Sequence, residues 1–167
     1  MASPDPRRPL DFADLGAVRS EIARLESAAA DGTLVAAGDW TLDQACWHLA
    51  RFMRMSREGF TFRAPLPLRL AGRFMKGWAL GPKPSPRGIR LRGPLSALEP
   101  SGPCADGPAQ LRGELDAITE RGERYTHPSP LLGPLAHEEW VRLHCKHAAH
   151  HLGFFRTADA PAGAGPR

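Results

Sequence analysis

The chain alternates between stretches in which apolar residues recur every three to four positions and stretches rich in proline and glycine. The first pattern is typical of amphipathic α-helices, and no convincing two-residue alternation indicates a β-strand. Long helices with a few long connections favour an antiparallel bundle, so the predicted fold class is all-α. Helices are predicted over residues 12–30, 41–59, 67–80, 108–124 and 136–156.

The second predicted helix has the clearest start signal. Thr41 and Gln44 have the spacing of a capping box, in which two side chains satisfy backbone N–H groups of the first turn. The last helix starts less well, because Ala136 and His137 are both weak cap residues. Two glutamates in its first turn nevertheless suit the helix dipole.

The third helix and the connection after it form the most basic part of the chain. Eight Lys or Arg occur from Arg63 to Arg92, and no Asp or Glu lies between Glu58 and Glu99. Such a segment can attract an anionic substrate, a membrane surface or nucleic acid. We expect the simpler explanation, namely that these are solvated surface charges in an arginine-rich chain. Residues 81–108 contain seven prolines and are predicted to be a long irregular connection, a kind that is often functional.

Within this helix the apolar positions fall on one side and the cations on the other. Leu66, Leu70, Phe74 and Trp78 line the apolar side. Interfacial helices have this pattern, but ordinary bundle helices have it too. We therefore expect a bundle helix and disfavour both a membrane and a nucleic acid as partners.

Length and composition limit the classes of protein to which this chain can belong. A chain of 167 residues fits one domain, predicted over residues 11–156 with loose tails at 1–10 and 157–167. The net charge of +4 does not demand nucleic acid, and three scattered cysteines do not make a disulfide framework. Cys46 and Cys145 are expected to be packing residues. There is no apolar signal segment and no run of 18 apolar residues, so a cytoplasmic location is expected.

The histidines carry the candidate chemistry. His147 and His151 are separated by four residues, so their side chains lie one above the other on the same helix face. That face is the apolar stripe of the last helix, where an imidazole without a partner costs about 1–3 kcal/mol. A metal ion at about 2.0–2.1 Å from both rings would satisfy them. His144 with His147 is a weaker alternative, and His150 is expected on the flank.

A third ligand has to come from another helix. His48 is the only histidine among the first 120 residues, and it lies at the inner edge of the second helix. Three imidazoles with an open position are typical of catalytic zinc sites, since structural sites usually have four protein ligands. For His48 considered alone, a core histidine hydrogen-bonded to a carbonyl is at least as common as a metal ligand.

Several short motifs accompany the histidines along the chain: Trp40, Trp47-His48-Leu49-Ala50, His127-Pro128, Gly133-Pro134-Leu135, Glu139-Trp140 and His147 through Leu152. With these motifs the chain resembles the DinB-like (YfiT-type) superfamily of metal-dependent enzymes, in a branch built on a domain of unknown function. The resemblance covers about residues 8–156 and is sharpest in the final helix.

The resemblance implies a four-helix bundle in up-down-down-up order with a long crossover, often as a homodimer. It implies that His48, His147 and His151 hold a divalent ion, zinc or nickel, with iron or manganese also compatible with imidazole. Some relatives activate a low-molecular-weight thiol for transfer or isomerisation. Residues 81–108 have no clear counterpart in the thiol transferases, so the substrate does not carry over.

Two functions follow as expectations. The first is a metal-dependent thiol S-transferase or hydrolase acting on a small, anionic molecule. In such an enzyme His127 is a candidate proton carrier. The alternative is that His127 is a structural loop residue whose backbone is restricted by the following proline. The second is a non-catalytic, stress-associated bundle in which the metal only stabilises the helices.

Overall fold

The structure is a computed structural model that describes residues 6–83, 85 and 93–158. It is mostly helical, with one small antiparallel sheet of two three-residue strands. A short 3-10 helix covers Gly93–Leu98. The helices are α1 (Leu15–Ala30), α2 (Leu42–Glu58), α3 (Leu66–Ala79), α4 (Gly107–Thr119) and α5 (His137–Leu152), and the strands are β1 (Leu34–Ala36) and β2 (Phe155–Thr157).

Four of the helices enclose the core. Helices α1 and α2 each pack against both α4 and α5. Their apolar faces meet in one cluster of buried side chains, and burying such a side chain stabilises a fold by about 1.5–3 kcal/mol. The largest side chains with almost no exposed surface are Trp140, Phe155, Ile22, Leu25, Leu111, Leu115 and Leu152.

The helix starts follow local capping chemistry. The predicted capping box is confirmed: Gln44 N–H donates to Thr41 Oγ1 at 3.2 Å, and Thr41 N–H donates to Gln44 Oε1 at 2.9 Å. Helix α1 begins three residues later than predicted, because Asp14 accepts a hydrogen bond from Ala17 N–H and acts as its cap.

Helices α2 and α4 make the closest contact in the core. A Cβ at Gly107 would lie 2.1 Å from the backbone oxygen of Asp43, so only glycine fits there. Further along the same pair, the buried carboxylate of Glu114 accepts from Arg54 Nε at 2.7 Å and from Arg57 Nη2 at 3.2 Å. These contacts fix how far apart α2 and α4 lie.

The strands were not predicted from the sequence. Helix α5 ends at Leu152 rather than continuing to residue 156, and Phe155 starts β2, paired with Ala36 of β1. Phe155 is fully buried, so its apolar character fitted the predicted helix stripe just as well. Three-residue strands are too short for a two-residue alternation to be visible.

The predicted N-terminal tail is ordered where the structure describes it. Arg8 Nε donates to the Phe155 carbonyl at 2.6 Å, and the Arg8 guanidinium is paired with Glu21. The Arg8 N–H donates to the Gly153 carbonyl at 2.7 Å. Polar composition suggested a loose segment, but these arginine contacts attach it to α1 and β2. Residues 1–5 and 159–167 of the predicted tails lie outside the described residues.

The expected packing of α3 is wrong. Its apolar side chains are exposed: Phe74 keeps 90% of its surface and Leu70 keeps 55%. Only Gly72 of this helix is buried, against the backbone of Leu131. The periodicity showed that α3 has two faces, but it could not show which face meets the rest of the protein.

Of the predicted irregular connection, residues 84 and 86–92 lie outside the described residues. Its end is more regular than expected, since the 3-10 helix places Leu98 in the core. Among the described helices, none is long and apolar enough to span a bilayer.

We expect Gly107→Ala to destabilise the protein by about 2 kcal/mol or more, because the added methyl group would overlap the α2 backbone. The matched control is Gly113→Ala on the same helix, where nothing lies within 4 Å of the added carbon. There the gain in helix propensity should raise stability by up to about 1 kcal/mol. Urea unfolding of the three proteins measures both effects. Equal stability of the two variants would contradict this description of the α2–α4 contact.

Candidate metal centre

Three histidine rings meet between α2 and α5. The Nε2 atom of His147 lies 3.1 Å from Nε2 of His48 and 3.0 Å from Nε2 of His151. One ring nitrogen from each of the three lies within 4.8 Å of the others. His48 is buried, while His147 and His151 each keep some exposed surface. Packing of α2 against α5 therefore brings together the three residues that the sequence indicated.

The proton position on His48 follows from its other contact. Its Nδ1 lies 2.6 Å from the backbone carbonyl of Leu98, at the end of the 3-10 helix. A carbonyl oxygen can only accept, so Nδ1 carries the hydrogen and Nε2 of the neutral ring has a free lone pair. Histidines that bind metals usually donate their second N–H in this way, which fixes the ring and its tautomer.

The three rings are held in the neutral form that metal binding requires. Burial lowers the pKa of His147 well below its usual range, and the neighbouring His151 and His48 lower it further. Burial followed by His48 has the same effect on the pKa of His151. Burial also lowers the pKa of His48, and the bond to Leu98 offsets part of that shift.

The donor set fits a divalent ion. Nitrogen ligands about 2.1 Å from an ion, at octahedral or tetrahedral angles, are about 3.0–3.4 Å apart. The two observed spacings, 3.0 and 3.1 Å, lie at the short end of that range. Hydrogen bonds alone cannot satisfy the cluster, since the single N–H that His147 Nε2 can carry reaches only one of its two neighbours. The group can thus hold a metal ion.

Aromatic rings cover two sides of the cluster. Trp40 stacks on His151 with ring centroids 5.1 Å apart and planes 7° from parallel, and its ring lies 5.0 Å from that of His48. Phe52 meets His147 edge-on at 5.0 Å. These rings restrict rotation of the imidazoles and keep water away from those sides.

Charged groups lie beside the cluster. The guanidinium of Arg7 contributes to the lowered pKa of His151, and Arg7 Nη1 donates to His150 Nδ1 at 2.6 Å. The carboxylate of Glu99 acts in the opposite sense on the pKa of His48. His150 therefore lies on the flank of α5, as predicted, where its ring faces a cation rather than the three Nε2 atoms.

His144 lies apart from the three-histidine group. Its ring is stacked on Trp140 and is 4.8 Å from the ring of Tyr125. Nε2 of His144 and the hydroxyl of Tyr125 are buried without hydrogen-bond partners in the part of the chain described. Burial alone lowers the pKa of His144 to about 3. His144 is a neutral core residue here, so the alternative pairing with His147 gains no support.

The cysteines behave as packing residues, as expected. Cys46 and Cys145 are buried. Burial raises the pKa of Cys46 to about 12 and that of Cys145 to about 11. Thiolates are therefore scarce at neutral pH, and neither residue is a ready nucleophile.

His127 is not brought into the cluster. It is exposed, and its ring lies over Gly59 at the end of α2. Its backbone carbonyl accepts a hydrogen bond from Trp140 Nε1 at 3.0 Å, so the residue holds the loop before α5 against the core. These contacts favour the structural alternative for His127 over a role as proton carrier.

Sequence reasoning missed three neighbours of the site. Leu98 acts through its backbone carbonyl, for which no residue type is a signal. Arg7 lies in a segment predicted to be loose. Trp40 is one of the residues that carry the family resemblance, but its stacking on His151 depends on how the turn before α2 folds back.

The model of one protein family matches residues 5–158, and its description is a protein of unknown function, DUF1569. This chain belongs to the DUF1569 family. No curated protein and no solved structure matches it. The function of this DUF1569 protein is therefore inferred from the geometry of its three-histidine site.

We expect the purified protein to bind one equivalent of Zn²⁺ or Ni²⁺ through the three Nε2 atoms. His147→Ala removes the central donor and should weaken binding by about a hundredfold or more. The matched control is His127→Ala, an exposed histidine outside the cluster, which should bind as the wild type does. Competition with a chromophoric chelator measures all three affinities. Equal affinities of wild type and His147→Ala would contradict the assignment.

His144 should make stability depend on pH. Unfolded histidine has a pKa of about 6.5, whereas the folded value is about 3. Between those values the unfolded chain binds more protons, so stability falls as the pH is lowered. From pH 6.5 to 5 this single group should cost about 2 kcal/mol. The free energy of unfolding of His144→Phe should therefore fall by about 2 kcal/mol less than that of the wild type between pH 6.5 and pH 5. Urea titrations at both pH values measure the difference. An identical loss in both proteins would contradict burial of a neutral His144.

Proposed function

We propose that this protein is a metal-dependent enzyme whose three-histidine site acts on a small, anionic molecule, by thiol S-transfer or by hydrolysis. The observation that carries the proposal is the convergence of three neutral imidazoles with no fourth protein ligand among the described residues. A site that lacks a fourth protein ligand leaves room for substrate, as catalytic zinc sites do. We also assign α1, α2, α4 and α5 to the four-helix bundle of the DinB-like superfamily, which the resemblance implies.

The chain's own residues prepare the site for this chemistry. His48, His147 and His151 would hold the ion through Nε2, and the carbonyl of Leu98 keeps the His48 ring in the required tautomer. A divalent ion held there would supply Lewis acidity, lowering the pKa of a thiol or water beside it toward neutrality. Trp40 keeps solvent from one side of the rings.

The cation of Arg7 close to His151 favours an anionic substrate, although the Glu99 carboxylate acts on His48 in the opposite sense. Arg7 Nη1 also donates to the carbonyl of Ser85 at 3.0 Å. In S-transfer, the sulfur of the thiol bonds to an electrophilic carbon and the leaving group departs with its electron pair. In hydrolysis, the oxygen of water takes the place of that sulfur. The proton released passes to the leaving group or to solvent in either case.

The alternative is a bundle that only uses the metal for stability. One observation weighs against it: the buried apolar cluster already unites α1, α2, α4 and α5, and the metal-site histidines are not part of it. Such a core does not need an ion in order to fold. The melting temperature of such an enzyme should therefore change little after chelation, whereas that of a metal-stabilised bundle should fall by many degrees.

Activity can be tested with the zinc- and nickel-loaded protein. Glutathione with monochlorobimane reports S-transfer, since sulfur displaces chloride, and p-nitrophenyl acetate reports hydrolysis. We expect turnover in at least one assay and a loss of about a hundredfold or more in His147→Ala, because the variant cannot keep the ion.

The control for this assay is again His127→Ala, which should retain the wild-type rate. Melting curves recorded with and without chelator complete the test. No turnover in either assay, together with a large loss of melting temperature on chelation, would contradict the enzyme and favour the metal-stabilised bundle.

A further inference from the structure

The outward face of α3 is apolar and largely exposed, with only the ring of Trp78 at its end lying near the Lys146 ammonium group, 5.5 Å away. Leu66, Leu70 and Phe74 follow one another at helical spacing, and Phe74 is the most exposed of them. Met75 and Trp78 continue the exposed apolar surface on one side. Single exposed apolar residues are ordinary, but a contiguous patch marks a contact surface. We call these five residues the α3 patch.

The opposite face of α3 contacts the rest of the protein, so the patch is turned away from it. Gly72 is two residues from both Leu70 and Phe74, which places it about 160° around the helix from each. A Cβ at Gly72 would lie 2.3 Å from the carbonyl oxygen of Leu131. Lys76 on the same side is paired with Glu139 of α5 at 2.8 Å.

The C-terminal end of α3 is anchored as well. Lys146 Nζ of α5 donates to the carbonyls of Trp78, Ala79 and Gly81 at 3.2, 3.0 and 2.8 Å. A lysine ammonium group there satisfies carbonyls that a helix end leaves without partners. The helix is therefore presented to solvent with its apolar side outward.

Cations border the patch. Arg69 and Arg73 are exposed on its second side, and Arg63 precedes the helix. No Asp or Glu occurs in the sequence from residue 59 to residue 98. A short helix that combines exposed Leu, Phe and Trp with a cationic border and no acidic residue matches the surface of an anionic bilayer.

A second copy of the chain fits this surface less well. A helix of 14 residues is about 21 Å long and about 10 Å wide, so its face covers about 200 Å². A stable interface usually needs about 800 Å² from each partner. The same surface of a second copy would also bring further arginines and no carboxylate. A bilayer instead accepts an isolated apolar face and supplies negative charge.

We propose that the α3 patch docks the protein on the surface of an anionic lipid bilayer, with Leu66, Leu70 and Phe74 among the acyl chains and Arg69 and Arg73 at the headgroups. The helix lies in the plane of the interface, since about 21 Å is too short to cross a hydrocarbon core of about 30 Å. This inference is independent of metal binding, because the patch shares no residue with the three-histidine site.

Sedimentation of the full chain with vesicles tests the proposal. We expect it to bind phosphatidylglycerol vesicles at least about tenfold more tightly than phosphatidylcholine vesicles, and added salt should weaken the anionic binding. Two double variants should each lose about tenfold or more: Leu70→Ser with Phe74→Ser, and Arg69→Gln with Arg73→Gln. Since all four side chains are exposed, circular dichroism should show the wild-type fold in both.

The matched control is Val35→Ser, an exposed apolar residue on β1 that should leave vesicle binding unchanged. Wild-type binding that is absent, equal on both lipids, or unaffected by Leu70→Ser with Phe74→Ser would overturn the proposal. So would sedimentation equilibrium showing a wild-type dimer that this double variant converts to a monomer, since the patch would then belong to a second copy.

Discussion

The packing of α2 against α5 is the constraint on which the chemistry of this protein depends. The two helices are far apart in sequence, and each alone offers at most two imidazoles in register. Their contact places His48 beside His147, so that three nitrogen lone pairs can meet at one point. The contact with α4 holds α2 from its other side, with Gly107 lying directly on the α2 backbone. A shift of α2 by one turn, about 5.4 Å, would remove His48 from the cluster.

Burial and hydrogen bonding act together on this site. Desolvation keeps the three rings neutral, which costs little because an unprotonated imidazole carries no charge. The carbonyl of Leu98 then fixes which nitrogen of His48 faces the other two. Leu98 belongs to the connection that was predicted to be irregular, so part of that connection helps to orient the rings. His48 is buried on the α2 side of the site, while His147 and His151 each keep some exposed surface.

The predictions that succeeded were local ones. The capping box at Thr41 and the shared face of His147 and His151 depend only on residues three or four apart, and the structure contains both. The predictions that failed needed tertiary information. The exposure of Phe74 and the end of α5 at Leu152 are set by what packs nearby, and an apolar pattern is the same in either arrangement. The bond between His48 and Leu98 joins residues 50 positions apart through a backbone atom, so no side-chain pattern signals it.

X-ray absorption of the zinc-loaded protein identifies the atoms that bind the ion. We expect only nitrogen and oxygen ligands, at about 2.0–2.1 Å, with outer scattering from three imidazole rings. After His48→Ala we expect two rings, since that variant removes the α2 ligand and leaves the pair on α5. A sulfur scatterer at about 2.3 Å, or a spectrum unchanged by His48→Ala, would show that the three imidazoles do not hold the ion.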